Sequence, residues 1–365
     1  MRPSEDYLGI VTPEEIERLY QSRSLGAGHP LIALAKSEAH QEVKTNTERA
    51  ARGILRTNPD WLSKVKARLI DTSDPSNASS ALGEIRAYGA LLETGMAIRM
   101  NPYVPGKNVI PEFEVDGGDG ATIVEVHSRQ LDRAQAKALE KHRAHLHAEH
   151  KIAVEEAKRD GKVGVVTSST IGVVPLGAPD RSKAGDSVLT NAISRICGIK
   201  NDDKQIDPAK PFVLWLDLQD PLVWGAGLSE QQFAPIYTQS RDGRVGTGAL
   251  WFALYGRKSD PMIEMFGLDY RQTAMLHEGR FALSPKISAV VYSLPDATVL
   301  MESPSAAMPL PARFRGSLLK APSFRLDFSL CDWKPGLVRS QSDLGRELVA
   351  RAAQALTALN PRSDG

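Results

Sequence analysis

The chain has 365 residues, 42% of them hydrophobic and 24% charged, the balance of a globular protein large enough to bury a substantial core. Forty-five Lys and Arg against 44 Asp and Glu leave a formal charge of +1, which excludes a global basic field as the means of holding nucleic acid. Two cysteines exclude a disulfide framework, no apolar run approaches the roughly 20 residues of a membrane-spanning helix, and the opening Met-Arg-Pro-Ser-Glu-Asp has no signal-peptide core, so a reducing cytoplasm is the expected compartment.

Residues 1–75 read as a helical N-terminal region. Thr12-Pro-Glu-Glu15 is an N-cap with proline in the first turn and acids at the positive end of the helix dipole. A second helix is predicted from Pro30 to Arg56 and a third from Asn58, which caps Pro59-Asp60-Trp61, to Ile70. The polar stretch from Asp71 to Asn77 breaks the pattern and marks a boundary. A core with an extended sheet is expected over residues 76–303. It starts with a helix from Ala78 to Thr94 and a strand near Ala97 to Met100. Two alternating segments follow, Val109 to Val115 and Ala121 to Ser128, joined by Asp116-Gly-Gly-Asp-Gly120, a strong hairpin signal. A long helix from about Leu131 to Asp160 ends at Gly161, and a strand is expected from Val163 to Val174. Asp186 to Ile199 reads as a helix. Pro211 to Leu218, Gly248 to Tyr255, Ile287 to Leu294 and Ala297 to Met301 read as strands, from their apolar density. Residues 304–365 comprise a proline-rich, irregular segment from Pro304 to Pro322 and a closing helix from Ser342 to Leu359. Helices between strands make the fold class α/β: a mixed central sheet flanked by helices, with helical additions at both ends.

The chemistry is concentrated in the hairpin. On the second strand Ile123, Glu125 and His127 share one face while Thr122, Val124 and Val126 share the other. Glu112 lies on the partner segment, so a carboxylate from each strand can converge near the hairpin. A third acid, Glu84, sits on the preceding helix. Paired carboxylates at the edge of an apolar hairpin are costly unless a cation satisfies them, and a divalent metal is the simplest one. Glu112 and Glu125 would ligate Mg²⁺, with the backbone carbonyl of Val126 and waters completing the shell and Glu84 acting through a water or a second ion. Otherwise Glu112, Glu114 and Asp116 are solvated residues of an exposed hairpin.

A helix with Glu84, then Pro111-Glu112, then Glu125-Val-His127 on the next strand, then a long helix, resembles the PD-(D/E)xK restriction-endonuclease-like nucleases. The resemblance spans roughly Ala78 to Pro175. It implies a restriction-endonuclease-like core that holds magnesium between two acids, and hydrolysis of phosphodiester bonds in DNA, as in restriction, phage defence or mobile-element processing. Glu84, Glu112, Glu125 and His127 are the catalytic candidates it assigns. Two positions depart from the family: Glu112 replaces the usual aspartate, and His127 stands where a lysine is usual. A lysine supplies a fixed positive charge. A histidine, with an unperturbed pKa of about 6.5, could act as general base or as a ligand favouring Mn²⁺ over Mg²⁺. Lys107, Lys137 and Lys141 are alternative sources of the lysine. The competing reading is an inactive nuclease-like protein that binds nucleic acid or serves as a scaffold subunit. The near-neutral charge suggests a partner subunit or homo-oligomer as part of the nucleic-acid grip.

Two other patterns carry less. His142, His145, His147 and His150 lie among lysines and arginines on the long helix and read as a solvated face, since a zinc site would need two further ligands. Gly243-Arg-Val-Gly-Thr-Gly248 leads into a predicted strand rather than out of one into a helix, and lacks the lysine and hydroxyl of a P-loop.

Overall fold

The computed structural model describes residues 6–22, 29–36, 41–102, 111–128, 133–162, 164–165, 206–219, 236–239, 244–246, 248–266, 269–295 and 298–322, with parts of 193–198 and 347–358. The chain divides into two compact units. One comprises residues 1–92, 126–175 and 217–225; the other comprises 93–125, 176–216 and 226–365.

The first unit is built on helices. Helix α1 (Pro13–Gln21) starts with a capping box: Thr12 Oγ1 accepts from the Glu15 backbone N–H at 3.2 Å, and Glu15 Oε2 accepts from the Thr12 N–H at 2.9 Å. Of the predicted second helix the described residues form α2 (Pro30–Lys36) and α3 (Gln41–Thr57), and residues 37–40 lie outside them. Asn58 Oδ1 accepts from the Trp61 N–H and caps α4 (Pro59–Leu69), as its sequence anticipates. Helix α5 (Pro75–Leu92) starts three residues earlier than expected. The Asp71 carboxylate accepts from the Ser73 hydroxyl, the Asn77 amide and the Ser73 and Asp74 N–H groups, which orders the polar stretch as the entry to that helix. The same bonds, the Ser73 hydroxyl foremost, hold its carboxyl well below the usual range.

Ala78, Ala81, Leu82, Ile85, Ala87, Tyr88 and Leu91 of α5 are all buried, as expected of a helix that is apolar nearly all round. It packs against α3 at close range: a Cβ at Gly89 would fall 2.3 Å from the Ala50 Cβ. Gly89→Ala therefore pits a helix-propensity gain of about 1 kcal/mol against an overpacking cost of about 1–3 kcal/mol. The neighbour is partly backbone and cannot rotate away, so the net is expected to be destabilising, read as a fall in the urea midpoint. Helix α6 (Arg133–Arg159) ends as predicted at Gly161, whose φ is +65°. Lys162 N–H donates to Ala157 O at 2.8 Å and Gly161 N–H to Lys158 O, a Schellman cap.

The second unit carries most of a six-stranded sheet in the order β1 (Ala97–Met100), β2 (Phe113–Asp116), β3 (Ala121–Ser128), β4 (Phe212–Asp217), β9 (Ala289–Ser293), β10 (Thr298–Glu302). Residues 126–128 of β3 and Asp217 of β4 belong to the first unit. The pairs β1/β2, β2/β3 and β9/β10 are antiparallel. Strands β4, β9 and β10 are buried along their whole lengths, so they read as apolar runs rather than as alternation. Two small antiparallel ribbons complete the unit: β5 (Tyr237–Gln239) with β6 (Arg244–Gly246), and β7 (Pro261–Phe266) with β8 (Asp269–Ala274). These observations establish an α/β fold with a mixed central sheet and flanking helices.

Further expectations differ from the structure. Gly248 to Tyr255 is not a strand but a helix, α7 (Ala249–Tyr255), with all seven residues buried. A short apolar run has no polar face to reveal its period, so helix and strand look alike in sequence. The glycine run around it therefore does lead out of a strand, β6, into a helix; the missing P-loop lysine and hydroxyl still argue against nucleotide binding. A short helix, α8 (Arg280–Leu283), precedes β9, and Pro304 to Pro322 is not irregular throughout, because Ala312–Lys320 forms helix α9. Its start is Pro311, which cannot continue a helix backwards but opens one well. Arg313 N–H, in its first turn, donates to Asp119 in the β2–β3 turn. The first hairpin strand is shorter than predicted, beginning at Phe113, and residues 103–110 lie outside the described ones, as do most of Val163 to Val174 and of Asp186 to Ile199. Ile193, Ser194, Ile196 and Cys197 within the latter are helical. Cys197 is a buried free thiol that donates to Ala253 O, and burial pushes it up to about 11. Among the described residues no helix is long and apolar enough to cross a membrane.

Candidate functional site

The β2/β3 register decides whether the hairpin acids meet. Phe113 pairs with Val124, Glu114 with Ile123 and Val115 with Thr122. β2 begins at Phe113; continued one residue past Phe113–Val124, the same register would set Glu112 opposite Glu125. The β1/β2 pairing also reaches that residue, since Asn101 N–H donates to Glu112 O at 2.9 Å. Directly opposed residues on an antiparallel pair have Cβ atoms roughly 4.5–5.5 Å apart. Glu112 is half-buried and Glu125 only 3% exposed. His127 follows two residues on, half-buried, on the same face of β3. Glu125 and His127 thus share one face of β3, with Val126 between them in the chain, and Glu112 immediately precedes β2.

Glu84 is placed differently. On α5, both of its oxygens accept from Arg68 of α4, Oε1 at 2.6 Å and Oε2 at 2.9 Å. A bidentate guanidinium clamp of this kind is strong and directional. Any part for Glu84 in holding an ion requires that clamp to open.

Glu114 corrects the view of this hairpin as solvated. It is buried, and both of its oxygens are paired: Oε1 accepts from Arg99 of β1, its register partner, and Oε2 from Lys210 just before β4. Asp116, at the strand end, is exposed and caps the turn by accepting from Gly118 N–H. On α6, His145 and His150 are exposed and His142 half-buried, and His145 lies 3.1 Å from Glu149, as expected of a solvated face. Of the alternative lysines, Lys141 is exposed, and Lys107 lies outside the described residues.

A second charged cluster was not singled out by the sequence. Asp217, at the end of β4, accepts from Arg86 of α5 through both oxygens, at 2.9 and 2.5 Å, and Arg86 also donates to Thr47 of α3. Both charges are buried. The acid in the run Phe212-Val-Leu-Trp-Leu-Asp-Leu218 was its available signal.

The donor set bears on which ion would fit. Among the described residues no three His, Cys, Asp or Glu side chains are gathered as a ready-made metal cage. Mg²⁺ does not need one: it binds through one or two carboxylates and keeps several waters. Carboxylates and backbone carbonyls are hard oxygen donors of the kind it takes. Comparison with family models, with curated proteins and with solved structures finds no match to this chain.

Proposed function

We infer that the chain is a metal-dependent nuclease that hydrolyses phosphodiester bonds in DNA. What supports this reading is the β2/β3 register, which, continued one residue past Phe113–Val124, would set Glu112 opposite Glu125, with His127 on the same face of β3 as Glu125. The element order supports it: α5, then three strands paired β1-β2-β3, then α6, then β4 next to β3, is the order the resemblance to restriction-endonuclease-like nucleases implies.

In this reading Glu112 and Glu125 would hold Mg²⁺ or Mn²⁺, aided by the Val126 carbonyl. The chemistry such an ion would supply is neutralisation of charge on the scissile phosphate and acidification of water. Burial of Glu125 in the sheet fixes its rotamer, so the ligand is positioned before substrate arrives. His127 takes a proton from the attacking water at its imidazole, where a lysine would supply charge but no base at neutral pH. A second reading, an inactive nuclease-like protein that binds nucleic acid or serves as a scaffold, draws support from Glu84, whose carboxylate Arg68 already occupies.

The test is cleavage of supercoiled, linear and single-stranded DNA, with RNA alongside, in Mg²⁺ or Mn²⁺. Glu125→Gln is expected to lose at least about 100-fold in rate, equivalent to about 2.7 kcal/mol of transition-state stabilisation, while its circular dichroism stays that of the wild type. No cleavage by the wild type, together with no divalent ion bound in calorimetry, removes the nuclease reading and leaves the second.

A further inference from the structure

Beside the acid pair, on the same face of the sheet, lies the ion cluster centred on Glu114. Residues two apart on an extended chain are about 7 Å apart and share a face, so Glu114 sits one such step past Glu112, which immediately precedes β2. Arg99 stands opposite Glu114 on β1. Lys210 pairs with the other Glu114 oxygen and lies 4.0 Å from Asp207, so its charge is matched twice. Its side chain is 28% exposed, whereas that of Arg99 is 63% exposed.

Lys210 divides its charge between Glu114 and Asp207, so Arg99 completes the charge balance of the cluster, and it does so from a side chain that is 63% exposed. Arg99 donates to Glu114 through Nη2, and a guanidinium has five N–H donors in a planar fork suited to phosphate oxygens. Resting on the nuclease reading, we propose that Arg99 binds the nucleic-acid backbone at a phosphate next to the scissile one. Glu114, itself locked by Lys210, is the positioning residue that fixes where the guanidinium stands. The step of about 7 Å from Glu112 to Glu114 places Arg99 within a nucleotide's reach of the acid pair.

The contact is to a phosphate and carries no base information, which gives it a signature in salt. The probe is a fluorescein-labelled DNA duplex and its matching single strand, titrated by anisotropy across a salt series with Glu125→Gln protein, which does not cut. Adding Arg99→Ala is expected to weaken binding several-fold for every sequence. It should also reduce the slope of log affinity against log salt by about one, and Arg99→Lys should restore the slope. A purely structural part for Arg99 would leave the slope where it was. An unchanged slope, or a parent protein that binds neither strand, overturns the contact. Cleavage by the wild type decides separately whether the nuclease reading stands.

Discussion

Asp217→Ala is expected to destabilise the protein by about 3–5 kcal/mol, because it leaves the Arg86 guanidinium buried without its counter-ion. Asp217 is fully buried and Arg86 nearly so, and the pair is bidentate, so little of the Coulomb attraction is lost to solvent. Thr47 offers Arg86 a hydroxyl at 3.3 Å, which accepts one hydrogen bond but carries no charge. Asp217→Asn keeps the shape and is expected to cost nearly as much, since the missing quantity is charge. Replacing both partners, Arg86→Met with Asp217→Leu, removes the stranded ion and is expected to recover most of the loss. Urea unfolding checks this: the midpoint should drop in both single variants and return in the double, with the slope unchanged. A double variant as unstable as Asp217→Ala would show that the pair fixes the local packing rather than each other's charge.

The same pair bears on how far the candidate site could be read from sequence. Glu125 stood out because it interrupts the run Ile123-Val-Glu-Val126. Asp217 interrupts Phe212-Val-Leu-Trp-Leu in the same way, and Glu302 ends the apolar strand Thr298–Glu302. Asp217 pairs with Arg86, and Glu302 with Arg315 at 2.7 and 2.6 Å. An acid inside a strand therefore announces burial and a need for compensation, but not what compensates it. That is settled by residues distant in sequence: Arg86 is 131 positions from Asp217, and Lys210 is 96 from Glu114. What sequence did offer was register. The Asp116 to Gly120 turn fixes the hairpin, the hairpin fixes which residues of β2 and β3 oppose, and the period of two puts Glu125 and His127 on one face. Caps at Thr12, Asn58 and Gly161 were legible for the same reason, since each depends on neighbours within a few residues. The helix Ala249–Tyr255 was not, because its seven buried side chains erase the pattern that separates a period of 3.6 from one of 2.

That helix also carries the second large expected effect. Trp251→Ala is expected to cost about 3–5 kcal/mol, the range for deleting a buried aromatic ring whose surroundings relax only in part. Trp251 has no solvent exposure; its ring meets Phe252 edge-on at 4.9 Å between centroids and Tyr255 at 5.6 Å. Tyr255 is in turn held by its hydroxyl donating to Glu302 O, so the cavity would open beside a ring that cannot swing into it. Trp251→Phe separates packing from polarity. The indole Nε1 is buried with no hydrogen-bond partner among the described residues, so exchanging it for carbon abandons no bond and relieves a desolvated donor. The lost ring volume works against that gain, and the net cost is expected to stay below about 1.5 kcal/mol, well under that of alanine. Thermal unfolding of the two variants beside the wild type reads the difference. If phenylalanine costs as much as alanine, the Nε1 proton has a partner after all, and a bridging water in the core would be the first candidate.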